Sequence, residues 1–213
     1  MTGTSGTDYM YAMEGNDTLR GLGDLDDLRG GPGNDDLDGG RGNDQYNVYD
    51  ANWGVDRISA DSSGAKDWLI FHRPATAGAL TIDLTPSPNR PEVSSGANTI
   101  NFGSKVVIEW VQAGLDDDTV RGNSANNYLQ GRDLDDRLIG RQGNDHLVGD
   151  TAVFSDEGDD TLKGGPGRDN LDGGPGNDTF FAQDGEADTM TCGPGSDVVH
   201  ADPAIDRLSM DCP

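Results

Sequence analysis

"GGPGNDDLDGGRGNDQYN", residues 30–47, is two nine-residue units laid end to end. The first runs Gly30-Gly31-Pro32-Gly33-Asn34-Asp35-Asp36-Leu37-Asp38, the second Gly39-Gly40-Arg41-Gly42-Asn43-Asp44-Gln45-Tyr46-Asn47. Each carries glycine at its first, second and fourth positions, aspartate at the sixth and a large apolar residue at the eighth. That period fits neither the face of an α-helix nor the alternation of an ordinary strand. A fixed period of this kind is the signature of a repeat architecture.

The register extends backwards without a gap. Units start at Gly3, Ala12, Gly21, Gly30 and Gly39, with sixth positions Asp8, Asp17, Asp26, Asp35 and Asp44. Their eighth positions are Met10, Leu19, Leu28, Leu37 and Tyr46. A weaker unit follows, with Gly54, Asp56 and Ile58 in the matching places. The register returns at Ala113, where the sixth positions run Asp118, Asn127, Asp136, Asp145, Asp160, Asp169, Asp178, Asp188, Asp197 and Asp206. The eighth positions there are Val120, Leu129, Leu138, Leu147, Leu162, Leu171, Phe180, Met190, Val199 and Leu208. A partial unit is inserted at residues 149–154, and the unit at Ala182 has one extra residue. Both the aspartate and the apolar phase resume after each interruption, which a compositional bias would not achieve.

Composition narrows the function. The chain has 213 residues, 39 acidic against 15 basic side chains, a formal charge of −24 and only 32% hydrophobic residues. Taken alone, these values describe a disordered polyanion. Such a chain repels nucleic acid and anionic membranes and attracts cations. No apolar run approaches the ~20 residues of a membrane-spanning helix. No Cys/His spacing suits zinc, and His72, His146 and His200 stand far apart. The N-terminus lacks a basic stretch followed by an apolar one, and it opens directly into the repeat. The sequence is therefore expected to be a piece of a larger protein.

The repeat resembles the repeats-in-toxin (RTX) calcium-binding β-roll, over residues 3–59 and 113–209. The stretch "IEWVQAGLDDDTVRGNSANNYLQG" (108–131) resembles the strand that re-enters such a roll. The resemblance implies an all-β fold, a right-handed parallel β-roll or solenoid, with Ca²⁺ held between stacked Gly/Asp turns by aspartates and turn carbonyls. The candidate metal ligands are Asp8, Asp17, Asp26, Asp35, Asp44, Asp118, Asp136, Asp145, Asp160, Asp169, Asp178, Asp188 and Asp197.

The chemistry of the residues agrees. Glycines permit the positive φ of tight turns, and carboxylates are hard oxygen donors suited to Ca²⁺. The eighth residue would point inward from a short strand. Two nonapeptides then make one coil, so turns on the same edge lie eighteen residues apart. The pairs are Asp8 with Asp26, Asp17 with Asp35, Asp26 with Asp44, Asp118 with Asp136, Asp160 with Asp178, and Asp178 with Asp197. Aspartate also occurs in turns because it bonds its own backbone. That explanation suffices for one Gly-x-Asp but not for a phased series. Turns with Ala125 and Asn127, or with Leu134 in place of glycine, are expected to bind weakly or stay empty. On the order of eight Ca²⁺ would offset roughly two thirds of the net charge, so folding and binding are expected to be coupled.

Three domains are expected: a first roll block (3–59), a longer-stranded or looped segment continuing or flanking it (60–112), and a second block (113–213). Within the middle segment, "ALTIDL" (79–84) and "KVVIEWV" (105–111) alternate like strands, and "TPSPNRPEVSSG" (85–96) reads as a loop. Asp67 looks like a degenerate turn preceding a strand. Trp53, Trp68, Phe71 and Trp110 are either core or a ligand surface. At the end, Cys192 and Cys212 fall on neighbouring turns by the coil period, within disulfide reach. A disulfide cap implies an oxidising, extracellular setting. RTX exports are typically poor in cysteine, so this tail departs from that pattern.

The functional expectation is a calcium-binding extracellular module with a structural or binding role, not itself an enzyme. Neither H-E-x-x-H nor G-x-S-x-G occurs. The alternatives are an accessory domain of a secreted protease, lipase or polysaccharide-modifying enzyme, or an adhesion module with a glycan or cell-surface ligand. Expected partners are calcium ions, with no nucleic acid and no membrane insertion.

Overall fold

The structure, a computed structural model, describes residues 1–59, 65–72, 78–85, 93–96, 98–102, 107–151 and 157–213. Among these residues there are strands and turns and no helix. The chain forms two compact units, Met1–Trp110 and Val111–Pro213.

In the first unit alternate strands go to alternate sheets. Strands β1 (Tyr9–Tyr11), β3 (Asp27–Arg29), β5 (Gln45–Val48) and β7 (Trp68–Phe71) stack in parallel as one sheet. Strands β2 (Thr18–Gly23), β4 (Asp36–Arg41) and β6 (Val55–Ile58) stack in parallel as the other. Met10 lies opposite Leu28, and Leu19 opposite Leu37. The coil is thus two nonapeptides, as the period requires. Short insertions are absorbed between strands: Leu37 pairs with Ile58 and Gln45 with Trp68, so the apolar register survives.

The middle segment joins the second of these sheets. β10 (Asn98–Phe102) runs parallel to β6, with Ile100 opposite Asp56. β9 (Val93–Ser95) is antiparallel to both β10 and β8 (Thr81–Asp83). The loop expected over 85–96 therefore ends in a strand, since Val93 and Ser95 place their side chains in the core; residues 86–92 lie outside the described residues. Of the strand expected over 105–111, residues 105 and 106 lie outside the described residues and 107–109 are not strand. Regular pairing starts at Trp110, the first residue of β11 (Trp110–Gln112).

The second unit repeats the alternation with little ornament. One sheet holds β12 (Thr119–Arg121), β14 (Arg137–Ile139), β16 (Thr161–Lys163), β18 (Thr179–Phe181) and β20 (Val198–His200). The other holds β13 (Tyr128–Gln130), β15 (His146–Val148), β17 (Asn170–Asp172), β19 (Thr189–Thr191) and β21 (Arg207–Leu208). Strands this short cannot hold a sheet by pairing alone. What fixes them is the column of eighth-position side chains: Leu129, Leu138, Leu147, Leu162, Leu171 and Phe180 are fully buried. The column ends at the last coil, where Val199 is half-buried and Leu208 is 40% exposed on the edge strand β21.

The C-terminal coil is closed by the expected disulfide, Cys192–Cys212, with Cα atoms 5.1 Å apart. The four aromatic residues divide. Trp53 and Phe71 are buried against each other, with ring centroids 5.7 Å apart. Trp68 and Trp110 are half-buried and stacked at 4.3 Å.

Candidate metal centre

Each sixth-position aspartate follows a tight turn and precedes a strand, so its backbone N–H points along the stack towards the next coil. The carboxylate of that coil accepts it. Asp8, Asp17 and Asp26 donate to Oδ1 of Asp26, Asp35 and Asp44 at 2.8, 2.8 and 2.9 Å. The ladder continues through Asp35 to Asp56 at 2.9 Å and Asp44 to Asp67 at 2.8 Å. Asp67 then donates to Oε2 of Glu109 at 3.0 Å. In the second unit Asp118, Asn127, Asp136 and Asp145 donate to Asp136, Asp145, Asp160 and Asp169. From there Asp160, Asp169, Asp178 and Asp188 donate to Asp178, Asp188, Asp197 and Asp206.

All six pairs expected from the coil period are neighbours in this ladder. The structure adds the pairs that the insertions obscured, including Asp136 with Asp160 and Asp145 with Asp169, each 24 residues apart. Asp56 and Asp67, read as a weak unit and a degenerate turn, occupy full ladder places.

The second carboxylate oxygen is the informative one. Oδ2 of Asp26, Asp35, Asp136, Asp145, Asp160, Asp169, Asp178 and Asp188 is buried and has no hydrogen-bond partner. A native interior leaves few such groups, because an unpaired buried carboxylate oxygen is costly. The first glycine of the unit makes the space. A Cβ on Gly21 would lie 2.1 Å from Asp26 Oδ2 and 2.6 Å from the carbonyl oxygen of Gly39 in the next coil. The fourth glycine admits the neighbouring backbone: a Cβ on Gly33, where φ is +152°, would lie 1.7 Å from Gly15 O. Carboxylate and carbonyl oxygens therefore converge in a narrow column, and Oδ2 of these eight aspartates meets no donor there.

Burial pushes the ladder carboxyls up, neighbouring carboxylates add to this for most of them, and the donated N–H groups oppose it. Asp136 is raised to about 9, Asp160 to about 8, and Asp56, Asp169 and Asp178 to about 7. Asp145 and Asp188 rise to about 6, as does Asp150, which the sequence reading missed. A divalent cation in the column would supply the opposite charge and offset this penalty.

At several turns the side chain instead closes back on its own unit. Asp8, Asp118 and Asp206 accept the N–H of Thr4, Gly114 and Asp202 through Oδ2, each at 2.6 Å. Asn127 likewise accepts the N–H of Asn123 at 2.9 Å. Leu134 adopts φ 70°, a left-handed backbone without glycine, and Asp136 keeps a buried, unpartnered Oδ2. Two arginines also reach turn carbonyls of the coil before: Arg141 to Gly122 O at 2.6 Å and Arg132 to Ala113 O at 3.3 Å.

A second ladder escaped the sequence reading. Fifth-position side chains accept the N–H of the equivalent residue one coil on: Asn16 from Asn34, Asn34 from Val55, Asn126 from Asn144, Asn144 from Arg168, Asp159 from Asn177 and Asn177 from Ser196. The recurring Asn-Asp dipeptide was its signal. Of the proposed ligands, Asp8, Asp17 and Asp197 are half-buried at the ends of the ladders, and the rest are buried.

The sequence matches the RTX calcium-binding nonapeptide repeat in four copies, at residues 2–36, 14–46, 108–137 and 154–186. These stretches together span just over half the chain, which belongs to the family built on this repeat. It is a calcium-binding β-roll module. No curated protein matches the sequence.

Proposed function

We propose that this chain is a non-catalytic extracellular module that folds when Ca²⁺ enters its stacked turns. The observation that carries the reading is the row of buried, unpartnered Oδ2 atoms facing turn carbonyls. In this reading Asp26, Asp35, Asp44, Asp136, Asp145, Asp160, Asp169, Asp178 and Asp188 each serve ions between stacked turns. Asp8, Asp17, Asp118 and Asp197 serve at the ends. The extracellular setting is supported by the Cys192–Cys212 disulfide. The groups that converge here are acceptors for a cation, and the role is structural. Far-UV circular dichroism tests it: adding Ca²⁺ to chelated protein should convert a disordered spectrum to a β spectrum. Mg²⁺ should substitute poorly, because it demands a small octahedral shell. A metal-free chain that stays fully folded in excess chelator would refute the proposal.

A second reading, binding of a glycan or cell-surface ligand, draws on the outer face of the first unit. There Trp68 and Trp110 are stacked and half-buried, and Tyr49 stacks on His72 at 3.9 Å beneath Arg29. A glycan-binding screen of the calcium-loaded chain, with Trp68→Ala as control, distinguishes a ligand platform from cross-strand packing.

A further inference from the structure

One turn of the second unit departs from the nonapeptide by a residue, and the departure brings in a carboxylate. Before β19 the chain reads Ala182-Gln183-Asp184-Gly185-Glu186-Ala187-Asp188. Gly185 takes φ 88°, and Oδ1 of Asp184 accepts the N–H of Glu186 at 2.8 Å, which fixes the turn. One carboxylate oxygen from each of Asp169, Asp184 and Asp188 then lies within 4.8 Å of the other two. Asp169 and Asp188 are 3% and 1% exposed, and each keeps an Oδ2 with no partner. Their Oδ1 atoms are already used by the N–H groups of Asp145 and Asp169.

We propose that Asp169, Asp184 and Asp188 form a three-carboxylate Ca²⁺ site that fills before the other turns of the chain. The inference rests on the calcium reading above and adds the third ligand and the order of filling. Among the described residues this is the one group of three such ligands so closely set. Calcium affinity rises with the charge and rigidity of the ligand set, and here two ligands are held by the ladder and the third by its own turn. Asp184 also lines a cleft of about 310 Å³ with Gln183, Phe181, His200 and Lys163. Asp184 itself is exposed, so water at its side can complete a shell of 6–8 oxygens. Once filled, the site fixes Asp188, whose N–H is bonded to Asp206 of the last coil. The C-terminal coil is therefore ordered first.

Competitive titration of the full chain with Ca²⁺ against a chromophoric chelator tests this. Asp184→Asn should weaken the tightest step about tenfold, with the total number of ions bound unchanged. Glu186→Gln removes the same charge from the same turn and should leave that step within about twofold. An unchanged tightest step in Asp184→Asn, or equal losses in the two variants, overturns the third ligand. No Ca²⁺ uptake by the unsubstituted chain overturns the calcium reading as well, and so separates the two failures. A crystal structure with Ca²⁺ decides independently of any variant's folding. An Asp184 oxygen should lie within about 2.6 Å of the ion, and an ion bound without it defeats the proposal.

Discussion

The two units carry the same nonapeptide but fill their interiors differently. The first buries Tyr46, Trp53 and Phe71 together with Leu80, Ile82, Leu84, Val93 and Ile100 from its middle segment. The second buries little beyond one apolar residue per strand, and beside that column lie Asp133, Asp136, Asp145, Asp150, Asp160, Asp169, Asp178 and Asp188. The carboxyls respond accordingly. In the second unit seven of them rise to between about 6 and about 9; in the first, Asp56 rises to about 7 and burial also raises Asp26 and Asp35. The same repeat can therefore close around a thick apolar interior or around a thin one flanked by buried carboxylates, and the calcium reading makes the second unit the more ion-dependent of the two.

Calcium removal should separate them most. In a series of calcium buffers at neutral pH, the second unit should unfold at a higher free Ca²⁺ than the first. The signals are separable because Trp53, Trp68 and Trp110 all lie in Met1–Trp110. Tryptophan emission thus reports the first unit, and backbone dichroism reports both. Coincident midpoints would break the comparison.

Acid should produce the next largest effect, with opposite signs for the loaded and metal-free chains. Folded-state values above the ordinary carboxylate range mean that protonation favours the folded metal-free chain. That contribution is complete below about pH 4 and is lost as pH rises through the folded values, about 6 to 9 in the second unit. Metal-free protein should gain β structure on acidification from pH 9 to pH 5, mostly outside the tryptophan signal. Calcium binding displaces those protons, so affinity should fall over the same range. A metal-free chain that loses structure on mild acidification would contradict the assignment of buried, uncompensated carboxylates.

Reduction acts on the second unit only. Opening a loop of 20 residues should cost roughly 3 kcal/mol in the chain-entropy model. The turns at Asp188 and Asp197 should lose calcium first, while tryptophan emission stays unchanged. Mass spectrometry of unreduced protein checks the bond itself, and two alkylatable thiols would remove it. A single ligand should matter somewhat less. Asp26→Ala removes the acceptor of the Asp8 N–H and a buried Oδ2, an expected loss of about 1–3 kcal/mol. Asn127→Ala should cost less, because Asn127 already closes on its own turn through Asn123. Equal calcium midpoints for the two variants would contradict the stacking.

Much of this was legible in the sequence because the period fixes two things at once. Nine residues per half-coil set the strand that receives Leu19 or Leu129, and the same count sets which carboxylates stack. What stayed hidden has physical causes. The insertions at 149–154 and near Asp184 change the sequence distance between stacked turns without changing their spacing in space, so Asp136 with Asp160 could not be read from an interval of eighteen. The strand β9 sits beyond a Pro-rich stretch whose composition says loop, and its pairing with β8 and β10 is set by burial of Val93. The role of the fifth-position Asn is one of backbone satisfaction, which leaves only the Asn-Asp dipeptide as a trace. Arg132 and Arg141 stand where glycine is the rule, and nothing local announces that their guanidiniums reach back to another turn.

The smallest effect tests backbone strain, and again the two units should differ. Leu134 in the second unit and Asp24 in the first stand at the fourth position of their turns with φ 70° and 73°. Both turns keep a left-handed backbone without glycine. A leucine in this left-handed region costs about 1–2 kcal/mol, whereas aspartate tolerates it better because its short side chain bonds locally. Glycine gives back part of the gain, about 0.5–1 kcal/mol, through its freer unfolded chain. Leu134 is 39% exposed, so only part of its apolar surface is forfeited. Leu134→Gly should therefore stabilise the calcium-loaded chain by at most about 1 kcal/mol, and Asp24→Gly should be neutral or slightly harmful. Thermal melts of the two variants at saturating Ca²⁺ measure the difference. A loss of stability in Leu134→Gly would mean that the leucine side chain contributes packing that outweighs its strained backbone.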